Sequence, residues 1–452
     1  MRIIDTARRA GRSLRQAKAR TLLTSLGIAV GAFTIMTSIA AGEGARQYAD
    51  KLISTNIDPQ ALFIVKDEGL VDPTQAQTGL KEYDPDATSE GGQTFTQLNK
   101  SDLEKLEKRT DITDVRPIYQ TQVSYLTIEG FKKKYTNDVD VYNPDVQSEI
   151  AAGSLPKLGT DIANDEVIVP KSFAETLKVS EQSLIGKKIT LVAERPAKLP
   201  SDEEIQKILM SEGPAGLKKL GASEVKKVTL KIRGVAKQAA TSFSGTNTLQ
   251  IPLEKATELN EFMTKGTKNY QKYFAVTAKA KNGEDPEAVK ESLKDAGYAP
   301  QTAKDLQGFL FTIVNVLQSI VTGFGVLALM ASVFGIINTQ YISVLERTSQ
   351  IGLMKALGMR GVSVWQLFLF EAMWIGFLGG VIGAGLSWAI GTAFNPTIAK
   401  LMDLSAGTDF LIYQFAPATM LVVGLMVIAA LAGLLPSWKA ARLDPIEALR
   451  TE

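Results

Sequence analysis

Four stretches of this 452-residue chain stay free of charge, or nearly so, for longer than the roughly 20 residues that cross about 30 Å of hydrocarbon. The first lies between Arg20 and Glu43, the second between Asp305 and Glu346, the third from Val362 to Ile390 broken only by Glu371, and the fourth between Asp409 and Lys439. A chain with four such runs reads as an integral membrane protein. The first run has the basic flank of a secretory signal but exceeds an h-region of about 7–15 residues, so it reads as an uncleaved span.

The charges give an orientation. Residues 1–20 carry seven Lys or Arg; the loop after the second span carries Arg347, Lys355 and Arg360, and the tail carries Lys439, Arg442 and Arg450. The loop between spans three and four has Lys400 alone, against Asp403 and Asp409. The excess of basic residues places both termini and the 346–361 loop in the cytoplasm. The block 43–305 then faces outside, with 36 basic and 40 acidic residues. A formal net charge of +2 gives no reason to expect a nucleic-acid partner. Cysteine and histidine are both absent, which removes disulfides, thiolate and imidazole metal sites, Ser-His-Asp triads and Cys-His dyads together.

Taken in order, residues 1–20 form a candidate interfacial helix, with Ile3, Ala7, Ala10, Leu14 and Ala17 on one face. Arg8, Arg12 and Arg15 lie elsewhere on it, facing anionic headgroups. Residues 21–42 are the first span, which continues past Glu43 as a helical stalk. In the block 43–305, Ala61–Lys66 reads as a strand and 67–97 as a long polar loop. Ser101 and Glu104 have capping-box spacing, with Leu103 and Leu106 on the inner face of the helix they start. Val115–Ile118 and Val123–Ile128 read as strands. Near the far end, strand Tyr273–Ala280 precedes a helix begun by Asp285-Pro286, with Val289, Leu293 and Ala296 inward and Gly297 as its stop. Two strand–helix–strand units thus bracket a middle part with candidate strands at Glu166–Pro170, Ile185–Val192 and Val228–Val235. Residues 194–226, rich in Lys and Glu, read as a helical insertion. The remainder divides into span two with its stalk (306–345), a loop (346–361), span three (362–392), a short outer loop (393–415), span four (416–437) and a tail (438–452).

Three features of the membrane part are candidate sites. In the 346–361 loop, Ile351, Met354 and Leu357 fall at i, i+3 and i+6 with Leu353 beside them, so a short helix there has an apolar side; Gly358 ends it. By spacing alone that side fits either a lipid-facing turn or a docking face. Span three carries Gly376, Gly379, Gly380 and Gly383, a spacing that lets helices approach closely, within a subunit or across a dimer. Glu371 sits at the edge of that span, within reach of water, as a packing or polar-anchor group. In the tail, Pro436 ends span four, Lys439 and Arg442 lie at headgroup level, and Asp444-Pro445 starts a short helix.

The string ERTSQIGLMKALG followed by FLFEA, the approach AKARTLLTSLGIAVG to the first span and the tail LPSWKAARLDPIEALR resemble the MacB-type, FtsX-like permease family of ABC transporters, the type VII mechanotransmission permeases. EVIVPKSFAETL, LIGKKITL and LKIRGVAK resemble that family's MacB-like periplasmic core domain, and the FtsX-like permease domain would cover about 306–450. The resemblance implies four transmembrane helices with a large α/β extracytoplasmic domain between the first two, built of porter-like split βαβ units and a β-rich subdomain. It implies a homodimer in a bacterial cell membrane that works with two copies of a cytoplasmic ABC ATPase. ATP and Mg would be bound by that partner and no cofactor by this chain. The ATPase-coupling residues would be Arg347, Gln350, Ile351, Gly352, Leu353, Met354, Lys355, Ala356, Leu357 and Gly358, and the C-terminal signature Pro436, Arg442, Pro445 and Leu449. Gln350 departs from the Glu usual in the family before Ile-Gly. Export or extracytoplasmic handling of a peptide, lipid, lipoprotein or antibiotic-like cargo follows, with or without an outer partner protein. Regulation of cell-wall hydrolases and a membrane sensor without transport are the alternatives.

Enzymatic motifs are sparse. No G-x-x-x-x-G-K-[ST] sequence is present to cradle nucleotide phosphates. Ser223 and Lys226 spell S-x-x-K without the companion motifs of a Ser-Lys nucleophile. Asn99-Lys100-Ser101 is a glycosylation sequon that a helix cap explains better. No catalysis is expected of the chain itself.

Overall fold

The computed structural model describes residues 3–14, 18–70, 87–90, 93–119, 121–195, 210–211, 224–237, 247–401 and 409–450. It divides into two compact units, one of residues 1–50 with 309–452 and one of residues 51–308.

The first unit is helical. Its elements are α1 (Ile3–Leu14), α2 (Lys18–Asn56), α7 (Ala303–Glu346), α8 (Thr348–Ala356), α9 (Gly361–Leu401), α10 (Phe415–Ala441) and α11 (Pro445–Arg450). Four of these, α2, α7, α9 and α10, are long and apolar enough to cross a membrane. In hydrocarbon a helix satisfies every backbone polar group within itself, which is why uncharged runs take this form. At 1.5 Å per residue the 44 residues of α7 extend about 66 Å, roughly twice the hydrocarbon thickness. Helix α9 continues to Leu401 through Pro396, so residues 393–401, expected in the outer loop, are helical. Helix α10 runs through Pro436 to Ala441, so that proline does not end the helix. Pro436 leaves the Ala432 carbonyl without its helical donor, and in the next position Ser437 Oγ donates to the Gly433 carbonyl at 2.6 Å.

Small residues set the helix spacing. A Cβ on Gly376 would lie 2.6 Å from the Leu425 carbonyl oxygen of α10, and one on Gly383 2.5 Å from the Ala29 carbonyl oxygen of α2. Gly379 meets Ile28 and Gly380 meets Leu425 and Val422, so all four glycines close contacts within the chain. Ile28, Ala32, Ile35, Leu329, Ile336, Ala372, Ile375, Leu425 and Ala429 from the four spans form one apolar core. Helices α2 and α7 are also joined by polar groups. Arg20 donates twice to Glu346, at 2.8 and 2.6 Å, Thr24 meets Thr339 at 3.1 Å, and Arg46 reaches Asn315 and Gln318 at 2.7 and 2.6 Å. Gly383→Leu is therefore expected to wedge α2 from α9 and cost about 1–3 kcal/mol. A thermal melt of the detergent-purified chain reads this as a lowered midpoint. Gly385→Leu, with nothing within 4 Å of its added Cβ, should leave the midpoint in place.

The second unit holds two sheets. The smaller has strand order β16-β1-β15-β5, from β1 (Ala61–Val65), β5 (Ile112–Ile118), β15 (Ala275–Ala280) and β16 (Ala299–Thr302), all antiparallel. Helices α3 (Lys100–Glu107) and α6 (Pro286–Asp295) complete the two strand–helix–strand units. Leu106, Val289 and Leu293 are buried as expected, whereas Ala296 is exposed because α6 ends one residue before it. Gly297, at φ +81°, makes the left-handed turn that stops the helix. The cap of α3 differs from the expected one. Asn99, not Ser101, accepts from Asp102 N at 3.0 Å, while the Asp102 carboxylate accepts from Asn99 N at 3.2 Å. Two overlapping S/N-x-x-D/E frames compete here, and the earlier one starts the helix.

The middle of the chain makes the larger, eight-stranded sheet. Its order is β6-β8-β13-β10-β12-β11-β7, from β6 (Thr121–Gln122), β7 (Tyr125–Ile128), β8 (Asp138–Val141), β10 (Glu166–Pro170), β11 (Lys188–Arg195), β12 (Glu224–Ala236) and β13 (Leu249–Ile251), with β9 (Ile150–Gly153) beside β12. The alternating apolar residues of β11 and β12, Ile189, Leu191, Leu230 and Ile232, point into its core. The pairing of β11 with β12 runs from Lys188↔Lys231 to Arg195↔Glu224. Both ends of the expected 194–226 helical insertion are thus strand; 196–209 and 212–223 lie outside the described residues. Within the expected loop 67–97, residues 87–90 and 93–96 pair as the hairpin β2–β3, and the rest up to Gly92 is described only to Leu70. Lys226 of the S-x-x-K lies on β12 and pairs with Glu258 at 2.9 Å; Ser223 lies outside the described residues.

Within this unit the first residues of α7 are locked in place. Thr302 N donates to Asp305 Oδ2 at 2.8 Å and Asp305 N to Thr302 Oγ1 at 3.2 Å, a reciprocal cap. Lys290 of α6 pairs with Asp305, and Thr302 Oγ1 donates to Glu287 at 2.8 Å. The last turn of α2 is held too: Gln147 N donates to the Asn56 carbonyl at 2.7 Å, and Asp58 N to the Asp145 carbonyl at 2.9 Å.

Candidate coupling site at the α7–α8 elbow

Helix α7 stops at Glu346, and one non-helical residue, Arg347 (φ −112°, ψ 18°), turns the chain into α8. At the other end Gly358, at φ +93°, closes α8: Gly358 N donates to the Lys355 carbonyl and Met359 N to the Met354 carbonyl, both at 3.0 Å. This is a Schellman closure, which a residue with a side chain would strain. The coupling residues expected from the sequence therefore form one short helix and its two ends, but the faces of that helix differ from expectation.

Ile351 is fully buried, in a cluster with Val344 of α7, Val364 and Phe368 of α9 and Ala440 of α10, with Met354 partly buried against it. Gly352 lies against α11, where an added Cβ would sit 2.8 Å from Ala448 Cβ. Lys355 Nζ donates to the Ala441 carbonyl at 3.1 Å and to the Leu443 carbonyl, serving carbonyls at the end of α10. The outward side carries Gln350, Leu353, Ala356, Leu357 and Gly358, with Leu353 53% and Leu357 81% exposed. Of the face expected to dock, Ile351 and Met354 turn inward and only Leu357 faces out. The reason is physical: α8 is apolar around most of its circumference, so its pattern does not say which side the rest of the chain claims.

The tail continues this surface. Asp444 Oδ1 accepts from Ile446 N at 2.8 Å and starts α11, with Pro445 as its first residue. Ala448 is buried, while Ile446 is 76% and Leu449 47% exposed. Arg442 stacks on the Trp438 ring at 3.8 Å, and Lys439 Nζ donates to Tyr341 OH at 2.8 Å. Pro436 is buried within α10.

Two expected site residues pair with each other. Arg347 Nη1 donates to Glu371 Oε1 of α9 at 3.0 Å and to Ser13 Oγ of α1, and Nη2 donates to the Ser13 carbonyl at 3.4 Å. Glu371 is only 2% exposed, so it is a buried ion-pair partner and not a group that reaches water. Its burial is tolerable because the guanidinium neutralises it and donates a hydrogen bond to Oε1. Ser13 carried no sequence signal. No cluster of three or more Asp or Glu able to hold a metal occurs among the described residues.

Comparison with known proteins agrees with this architecture. The model of the MacB-like periplasmic core domain matches residues 21–296, and that of the FtsX-like permease C-terminal domain matches residues 322–445. The ABC transporter permease YtrF of Bacillus subtilis (strain 168) is 26% identical over 78% of this chain and 83% of its own length. The macrolide export ATP-binding/permease protein MacB of Escherichia coli (strain K12) is 28% identical over 98% of this chain, which spans 60% of that longer protein. The periplasmic region of MacB from Actinobacillus actinomycetemcomitans overlies 56% of this chain at 13% identity, with a TM-score of 0.32. Two family models in the order that the helices and sheets require, the larger covering most of the chain, make this a membrane protein of the MacB-like, FtsX-like family of ABC transporter permeases.

Proposed function

We propose that this chain is the membrane subunit of an ABC transporter, coupling ATP hydrolysis on a separate ATPase to movement of the 43–305 domain. The observation that carries this is the exposure of four large apolar side chains, Leu353 on α8, Leu357 at its end, and Ile446 and Leu449 on α11, on segments that touch at Gly352 and Ala448, at the elbow that ends α7. An apolar patch framed by polar groups on a well-packed body fits a protein partner. The basic residues of the tail and of the Arg347 elbow support a cytoplasmic position for these side chains, and for both termini, under the positive-inside rule. The domain between α2 and α7 then faces outside the cell membrane and handles a peptide, lipid, lipoprotein or antibiotic-like cargo there. ATP and Mg are the ATPase's ligands. In the working assembly two copies of this chain meet two ATPases.

The test has two parts. Affinity capture from native membranes should recover a P-loop ATPase in near-equal amount; capture of no ATPase would leave the patch without its proposed partner. Orientation is read by membrane-impermeant maleimide, since the chain has no native cysteine. Asn282→Cys should label from outside and Ser349→Cys only after the membrane is opened. The reverse pattern would invert the topology.

A further inference from the structure

Helix α1 is seated along one side on α9. Thr6 and Ala10 are fully buried, Gly11 lies under the Trp374 ring, and Trp374 Nε1 donates to the Ala7 carbonyl at 3.1 Å. On the opposite side Arg8, Arg9 and Arg12 are exposed, and none forms an ion pair with a described carboxylate, although Asp5 lies one turn away. A helix whose apolar side is covered by a membrane span and whose other side presents three unpaired guanidinium groups stands at the lipid boundary. The arginine stems can lie along apolar surface while their heads reach phosphate oxygens. At its far end α1 hands over to the elbow, since Arg347 bonds the Ser13 hydroxyl and carbonyl while also pairing with Glu371.

We propose that α1 binds anionic phospholipid headgroups through Arg8, Arg9 and Arg12, and that Ser13, Arg347 and Glu371 relay its seating to the coupling helix α8. The arginines are the lipid contacts; the three relay groups are positioning residues. The charge complementarity of the arginine side with an anionic leaflet, and the covering of the other side by α9, select lipid over a soluble partner. Because Arg347 is the single residue joining α7 to α8, a shift of α1 that moves the guanidinium pulls on the chain at the start of α8. The consequence for coupling rests on the function proposed above. The movement itself can be measured with no ATPase present, so the two can fail separately.

The experiment uses the whole chain, purified and reconstituted, with one spin label at Asp5→Cys on α1 or at Leu357→Cys on α8. Vesicles of phosphatidylcholine are compared with vesicles containing phosphatidylglycerol. Both labels should become less mobile with phosphatidylglycerol, and Arg8→Gln/Arg9→Gln/Arg12→Gln should abolish both responses. Glu371→Gln should keep the α1 response and lose the α8 response. Where a thermal melt shows that Glu371→Gln is unfolded, Ser13→Ala, which keeps the ion pair, serves instead and should weaken the α8 response alone. A lipid response that survives the triple arginine change, or no response at Asp5→Cys, overturns the lipid site. An α8 response unaltered in the folded relay variant overturns the relay. Inorganic phosphate or polyglutamate added to phosphatidylcholine vesicles should do nothing; reproduction of the effect by either would assign the arginines to a soluble anion.

Discussion

Changing Leu353 and Leu357 together to Asp should detach the ATPase from a chain that is otherwise folded. Both side chains are exposed and neither is a member of the core cluster beneath α8, so the substitutions remove partner contacts while leaving the buried side chains of that cluster in place. Burying a leucine contributes about 1.5–3 kcal/mol. Allowing for partial exposure in the complex, losing two amounts to about 2–4 kcal/mol. That is a roughly 30- to 700-fold weaker complex at about 1.4 kcal/mol per factor of ten. Titration of the ATPase onto the reconstituted chain reads this directly. Ile351→Asp should behave differently. It puts an unpaired carboxylate into a site with no exposure, and the damage appears first as loss of folded protein. Equal ATPase affinity for wild type and the double Leu variant would remove α8 as the docking element.

The second large effect concerns where the driving force goes. Helix α7 is continuous from Ala303 to Glu346, and its first turn is fastened by Thr302, Asp305, Lys290 and Glu287. A continuous helix transmits displacement, whereas a flexible segment absorbs it. Six Gly/Ser residues inserted after Gln307 leave that fastening intact but add a coil with a root-mean-square span of about 13 Å, by the 5–6 Å × √n scaling. ATP hydrolysis by the assembly should continue near its normal rate while the extracytoplasmic activity is lost. Full activity with the insert would reduce the helix to a tether.

What could be read from the sequence was what depends on composition and local chemistry. Hydrocarbon admits few solutions, so four long uncharged runs had to be four helices. Gly358 and Asp285-Pro286 were legible because each meets a local backbone demand without help from the rest of the fold. The faces of α8 were not legible. Ile351 and Leu353 are equally apolar, and only the ends of α7, α9 and α10 decide which is covered. The Arg347–Glu371 pair was hidden for a similar reason. Arg347 counted toward the basic excess that sets orientation, and Glu371 looked like a shallow anchor, yet nothing along the chain says that two residues 24 positions apart, across α8, its closing turn and the start of α9, come to 3.0 Å. The glycines of span three announced a close approach. Whether the neighbour was α2, α10 or another copy needed coordinates, and α2 and α10 take all four.

The seating of Gly352 against α11, with Lys355 holding the carbonyls of Ala441 and Leu443 between α10 and α11, bears on how partners of this family could be exchanged. The proposed docking surface draws on two segments nearly a hundred positions apart, Leu353 and Leu357 from one and Ile446 and Leu449 from the other. Changes in one segment alter the footing of the other, so the two are expected to drift together over evolutionary time. A chimaera that imports only residues 346–361 from a relative would carry half a lock. If the proposed docking surface is right, residues 436–450 are expected to travel with them for the borrowed subunit to accept the relative's ATPase.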